Sequence, residues 1–451
     1  MQLMALRVSK LENRFSDLAA VYHGIGQLKD RDNNVVKTDY AIGQRQKGSF
    51  VICCGVRLGW RDAFHLRGKT HLGETLEAGG VVSTVMGAYS GFTYNQEFED
   101  YFYQSEMDFG LSVGEDNWTK AETVEFNITN FVYLGNARIQ GGFGQDVNCL
   151  ELTVQGVELA FTRLADYEQA VDLLNDLGTA RATCKLSVKV GNHSKDKIFQ
   201  IVNAICRLLT IARGIQINWI AFSFVDSELS RYFCHHRHQV LGAYQEFEVI
   251  ESVHHDATHE FLARCLPVYL DKDVDYQFGW FSHFLVEIHT AGFLDTRCLL
   301  LYNAMEWLCK RVNDKKKIGK YPVTLRKRVC DFVVRHEVPI VICSKCHALG
   351  TKPDNKYRGK GEEPCLGKGH KYKDRCDVGF YVECRNAVVH RGTFYSGEPR
   401  REYRIILSMF HKMLLRALEY EYMFIDRYDA NFMHHASVKL GKGPYVLDRF
   451  D

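Results

Sequence analysis

Gly379-Phe380-Tyr381-Val382-Glu383-Cys384-Arg385-Asn386-Ala387-Val388-Val389-His390-Arg391-Gly392 reads as the end of a helix closed by its own stop, with Gly392 at the C′ position. An arginine, an asparagine and a histidine meet there. Asn386 and His390, four positions apart, share a helix face, and Arg385 lies about 100° round from Asn386 and flanks the same groove. Such a trio suits phosphodiester chemistry on RNA. That reaction needs one group to move protons at the 2′-oxygen or the leaving 5′-oxygen, and a fixed cation at the phosphate. His390 fills the first role. Arg385 fills the second, because its planar fork holds two phosphate oxygens at once. Asn386 orients the histidine or donates to the phosphate, and no metal is required for catalysis.

Around this stretch the chain reads as helices. Residues 277–290, 294–312, 322–336, 377–391 and 402–428 each carry apolar residues at spacings of three and four. They predict an all-α bundle over 276–430, with a basic loop at Lys315-Lys316-Lys317 and a break at Gly397-Glu398-Pro399. Residues 431–451 read as an extended tail or a docking strand. Upstream, 1–225 is strand-like, clearest at 49–58, 123–134, 148–164, 182–190 and 215–225. Two amphipathic helices, 166–177 and 194–213, interrupt it. The expected class is α+β, its β-rich N-terminal domain either mixed or sandwich-like, followed by a linking segment at 226–275 and then the helical bundle.

Between the third helix and the motif helix lies Cys343-Ser344-Lys345-Cys346, followed by Cys365, His370 and Cys376. A Cys-x2-Cys knuckle with two further soft ligands encodes a tetrahedral zinc site, here Cys343, Cys346, Cys365 and Cys376, with His370 in reserve. Four closed ligands leave no position for water, so this zinc is structural. The loop, 341–377, is rich in cations: Lys352, Lys356, Arg358, Lys360, Lys368, Lys371, Lys373 and Arg375. Between residues 310 and 376 there are 19 Lys/Arg against 7 Asp/Glu, within a chain of net charge +2. Lys356, Arg358, Lys360, Lys371, Lys373 and Arg391 are the candidate RNA-phosphate contacts, of a kind that is salt dependent and blind to base sequence.

The string Arg385-Asn386-x-x-x-His390 resembles the Arg-x4-6-His motif of the HEPN superfamily, in which a polar residue commonly follows the arginine. Leu300-Leu301-Tyr302-Asn303-Ala304-Met305-Glu306-Trp307-Leu308 is similar to an earlier helix of that family, and a long helix follows the motif. With a β-rich region ahead of it, the chain resembles more narrowly the ApeA group of bacterial antiphage proteins. The resemblance covers about the last third of the chain. It implies a metal-independent endoribonuclease, with tRNA as a candidate substrate, that leaves a 2′,3′-cyclic phosphate in abortive defence. It also implies a homodimer, or a higher even oligomer, in which two motifs face each other. Glu306 either fixes Arg385 or His390 by a hydrogen bond or is a plain surface acid. The competing expectation is a non-catalytic HEPN-type scaffold that binds nucleotide or protein and uses the zinc loop as an interaction surface.

The remaining signals are weaker. At 451 residues and 46% hydrophobic the chain is long enough for two or three domains with real cores. No leader pattern and no long apolar span is present, and the 15 cysteines read as core thiols and metal ligands, which predicts a cytoplasmic protein without membrane association. Gln140-Gly141-Gly142-Phe143-Gly144-Gln145 lacks the Lys-Ser/Thr of a P-loop and reads as a hairpin turn, as do Gly79-Gly80 and the glycines from 87 to 91. The aromatic run from 94 to 103 is acidic and reads as packing or a partner-protein contact. His235, His236 and His238, with His254, His255 and His259, allow a third reading as a metal hydrolase, but the string His255-Asp256-x-x-His259 shows no third ligand.

Overall fold

The computed structural model describes residues 2–59, 61–93, 96–133, 149–237, 239, 247–251, 256–313, 324–352, 365, 375–426 and 437–447. The chain divides into two compact units, one of Met1–Val132, Ala137–Gln200 and Ile217–Tyr244, the other of Tyr133–Asn136, Ile201–Gln216 and Gln245–Asp451. The first is built on antiparallel sheet and the second on helices. The class is therefore mixed α and β, in the predicted order.

The first unit opens with helix α1 (Gln2–Arg14) and strands β1 (Leu18–Lys29), β2 (Val35–Arg45), β3 (Phe50–Cys54), β4 (Ala63–Thr70), β5 (Thr75–Thr93) and β6 (Gln96–Gly114). It continues through β7 (Thr123–Thr129), β8 (Cys149–Val154), β9 (Val157–Arg163), α2 (Tyr167–Leu177), β10 (Ala182–Lys189), the start of α3 (Lys195–Arg213), whose residues from Ile201 on belong to the second unit, β11 (Trp219–Val225) and β12 (Arg231–Arg237). The strands form one sheet in the order β3-β2-β1-β4-β5-β6-β12-β11-β7-β10-β9-β8, and β3 also pairs with β6. That extra pairing closes β1 to β6 into a ring. Strand β6 makes this possible by dividing one edge between β3, at Tyr101 to Ser105, and β12, at Gly110 to Gly114.

Alternation along the strands sorts the side chains between two cores. Tyr40, Ile42, Phe50, Ile52 and Cys54 point into the ring with Leu66, Leu76 and Leu111. Their neighbours Ala41, Val51 and Cys53 point outward and are covered by Leu11 and Phe15 of the α1 segment. Strand β3 is buried at every position for that reason. Beyond the ring, Phe199 of α3 packs on Phe126, Trp219 and Phe222 with ring centroids 4.9–5.8 Å apart.

The second unit contains α4 (Ala257–Tyr276), α5 (Phe278–Thr290), α6 (Leu294–Asn313), α7 (Leu325–Arg335), β13 (Val341–Cys343), α8 (Ser344–Thr351), α9 (Asp377–Asn386), a π-helical turn (Ala387–Arg391) and α10 (Pro399–Ala417). Three short strands follow: β14 (Met423–Ile425), β15 (Ser437–Lys439) and β16 (Tyr445–Leu447). Helix α10 is the centre. It is buried on every side from Ile405 to Ala417, as a helix enclosed by others must be.

Several expectations are corrected. The first domain is one continuous antiparallel sheet with a closed ring, not a sandwich, and it includes five early strands that the composition did not announce. Gly79, Gly80 and Gly87 lie inside β5, where the register of β5 against β6 shifts repeatedly. Bulges and glycines bend a strand around a ring, so these mark curvature and not turns. Residues 226–275 are not a link, because they hold β12 and nearly all of α4. The last long helix stops at Ala417, where Glu419 takes a left-handed φ of 56°. The tail does dock: β15 pairs with β14, and β16 lies parallel to β13. The cluster at 140–145 lies outside the described residues. Among the described residues no helix is long and apolar enough to cross a membrane.

Candidate functional site

Helix α9 is fixed at both ends. Cys376 is its N-cap, accepting a bond from the Gly379 amide at 3.5 Å. The buried Asp377 carboxylate takes the Val341 amide at 2.9 Å and the Arg375 guanidinium at 3.2 Å, tying α9 to β13. Burial pushes this carboxyl upward in pKa, against the pull of Arg375. Phe380, Tyr381, Cys384, Ala387 and Val388 face inward, leaving Arg385 and Asn386 half-buried and His390 and Arg391 exposed. Gly392 closes the element at φ 63°, its amide bonding to the Ala387 and Val388 carbonyls.

The turn before that stop is π-helical, and this sets the geometry. Residues five apart on an α-helix are about 140° round from each other. A π turn absorbs one extra residue. His390 is thereby carried back over Arg385, with Nη1 of the arginine 3.0 Å from Nε2 of the histidine. A guanidinium has only donors, so Nε2 accepts this bond and the ring proton sits on Nδ1. On its other side, Arg385 Nε donates to Glu306 Oε1 of α6 at 2.7 Å, the two side chains being 22% and 30% exposed. The result is a chain Glu306–Arg385–His390 reaching solvent at the imidazole.

Of the residues expected here, the fold brings together Arg385, His390 and Glu306. Asn386 does not join them: its amide has no side-chain partner among the described residues, because the π turn aligns His390 with Arg385 instead. One residue that the sequence did not single out completes the surroundings. The buried Glu402 of α10 accepts from the Tyr395 and Ser396 amides at 3.0 and 3.1 Å and from the Tyr302 hydroxyl at 3.3 Å. It pins the segment that follows the motif to α6 and α10. Neither its position after a proline nor its charge marks it out in the sequence.

At the other end of α9 the four expected thiols meet. Cys343, Cys346, Cys365 and Cys376 are all buried, with their sulfurs within 4.8 Å of one another. Cys343 and Cys346 lie 3.5 and 3.6 Å from Cys365, and Cys376 lies 3.6 Å from Cys346. These are not disulfides, which hold sulfurs at about 2.05 Å. A tetrahedron of Zn–S bonds of about 2.3 Å spaces its sulfurs by about 3.8 Å, which the cluster fits. Arg326 adds a charge, its Nε and Nη2 lying 3.4 and 3.3 Å from Cys346 Sγ. Gly379 is required for the approach of Cys365, whose sulfur would lie 2.5 Å from any Cβ placed there.

The basic contacts are less complete. Lys356, Arg358, Lys360, Lys371 and Lys373, with Lys368 and the reserve ligand His370, lie outside the described residues. Arg375 is not a surface cation: it is buried, paired with Asp377 and stacked 4.4 Å from the Phe380 ring. Arg391 is exposed beside His390. The histidine clusters do not converge among the described residues. His235 bonds to Ser112 at 2.9 Å, and His236 to Tyr22 and Gln44 at 2.8 and 2.7 Å. His238, His254 and His255 lie outside the described residues.

Comparison with protein-family models, with curated proteins and with solved structures found no match.

Proposed function

We propose that this protein is a metal-independent endoribonuclease of HEPN type, akin to the ApeA group, that cuts RNA, tRNA among its substrates, in cytoplasmic antiphage defence. The observation that carries the reading is the chain Glu306–Arg385–His390, which ends in a solvent-reachable imidazole. In the resting arrangement Arg385 occupies the Nε2 lone pair. A substrate phosphate draws the guanidinium toward itself, Glu306 keeps hold of Nε, and the freed lone pair takes the proton of the 2′-hydroxyl. The 2′-oxygen bonds to phosphorus, the P–O5′ bond breaks, and the 5′-oxygen leaves with a proton from solvent water while the His390 imidazolium returns its proton to solvent. Arg385 balances the charge on the pentacoordinate phosphorus. Asn386 positions the ribose or phosphate, and Arg391 and the cations of the zinc loop hold neighbouring phosphates. Zinc on the four thiols is structural and fixes the N-terminus of α9. Pairing of two copies, so that one motif faces another, belongs to the same reading.

The test is incubation of the full chain with total tRNA in EDTA, with bound zinc measured afterwards. Fragments ending in 2′,3′-cyclic phosphate, lost in both Arg385→Ala and His390→Ala proteins that still fold, support the nuclease. The same two bonds of Arg385 favour a second reading, a non-catalytic scaffold in which the arginine is a brace between α6 and the π turn. Uncut tRNA at every concentration, with tight retention of nucleotide or protein, supports that one.

A further inference from the structure

Gly26 on β1 stands directly opposite Gly68 on β4. A Cβ on Gly26 would lie 2.8 Å from the Arg67 carbonyl oxygen, and one on Gly68 would lie 2.6 Å from that of Ile25. The two strands are closer here than side chains on the ring-facing side permit, and their backbone is part of the lining of a groove of about 480 Å3 on the other face of the sheet. Register sets out the rest of the lining. Gln27 lies between Lys37 on β2 and Arg67 on β4, and in the next row Lys69 lies between Ile25 and Thr75. Three cations thus surround a floor of strand backbone, with an amide, a hydroxyl and the 44% exposed Ile25 beside them.

The charges there are only partly answered. Arg67 meets Glu77 at 3.2 Å, both mostly exposed, and Asp39, opposite Ile25, turns to Arg7 at 3.7 Å. Lys37 and Lys69 have no carboxylate partner among the described residues. Glu77 and Asp39 close off the two rows at their ends, which suits a compact anion and opposes a polynucleotide running across the strands.

We infer that this groove is a binding site for a phosphate-bearing ligand of nucleotide size. Lys37, Arg67 and Lys69 meet its phosphate oxygens, Gln27 and Thr75 donate to them, and the sugar and base lie over the strand backbone against Ile25. Clustered cations suit phosphate oxygens, and the volume falls within the range of small-molecule sites, about 300–1,000 Å3. The site is independent of the proposed nuclease centre.

The test is calorimetric titration of ATP into the full chain at low salt, in an Arg385→Ala background that weakens any binding at the helical unit. Saturable binding of one ATP is expected. Lys37→Ala/Lys69→Ala is expected to weaken it at least roughly tenfold, since charge-assisted phosphate contacts are the strong ones. Thr75→Glu, which places a carboxylate opposite Lys69 at an exposed strand position, is expected to do the same, and Lys120→Ala, outside the groove, to change nothing. Melting temperatures check that each variant is folded. Absence of saturable ATP binding, affinity in both groove variants unchanged from that of the intact groove, or retention of a 12-nucleotide RNA that ATP does not displace overturns the assignment.

Discussion

A guanidinium 3.0 Å from an imidazole nitrogen can be bonded to it in one way, with the arginine donating and the histidine lone pair occupied. The pair is therefore idle until something with a stronger claim on Arg385 arrives, and a phosphate is such a group. Arg385→Ala and His390→Ala are each expected to slow RNA cleavage by about 10²–10⁴-fold, with the melting temperature little changed because neither side chain is core. Arg385→Lys is expected to be nearly as inactive, since a single ammonium cannot hold Glu306, His390 and a phosphate together. Glu306→Gln keeps a hydrogen bond to Nε but drops the charge, and a loss of about tenfold is expected in the same assay. At this scale Arg385 and His390 were legible from residue type and spacing alone. Asn386 was misplaced because the spacing argument assumed a regular α-helix. Glu402 was invisible because its importance lies in backbone amides that only the fold delivers.

Helix α9 joins two centres, with thiols at its start and the Arg–His pair at its end. The π turn is what makes a five-residue spacing productive, so deleting Val389, an exposed residue inside it, should restore α geometry and leave the imidazole four positions from Arg385, still on its face. Cleavage is expected to survive this deletion, while circular dichroism and melting stay close to those of the parent. At the other end, Cys376→Ser should remove bound zinc, about one ion per chain by elemental analysis falling to none, and lower the melting temperature. Gly379→Ala, with Cys365 Sγ in its path, is expected to act in the same direction. Full zinc in both proteins would disprove the metal assignment. The Cys-x2-Cys knuckle announced this centre in the sequence. Helix α4 was hidden by Pro267 and by its charged C-terminal half, although Phe261, Leu262, Cys265, Leu266 and Tyr269 bury one stripe. An interior proline costs about 3 kcal/mol in isolation, and here packing of that stripe offsets it.

Over the whole molecule, the order of a sheet unit before a helical unit was legible, since strand-like and helix-like periodicities occupy different parts of the chain. The closure of six strands into a ring was not, because it depends on β6 sharing one edge between β3 and β12. Each unit also encloses a histidine that resists protonation. Burial lowers His236 to about 3, and burial, followed by Arg335, lowers His336 to about 4. An unfolded imidazole titrates near 6.5, so the unfolded chain binds these protons first. Their stability contribution is whole above pH 6.5 and is lost as the pH falls toward 4 and 3, with a slope of up to about 1.4 kcal/mol per pH unit for each histidine. Urea midpoints at pH 7 and pH 5 should differ accordingly, and less so in His236→Gln. The central claim concerns what the assembled protein does to RNA through Arg385 and His390 acting as one unit. It is tested most directly by single-turnover cleavage of one defined RNA by the parent, the two alanine variants and their double variant. The account predicts that the double variant is no slower than the worse single one. Full activity in either single variant, or losses that multiply in the double, would contradict it.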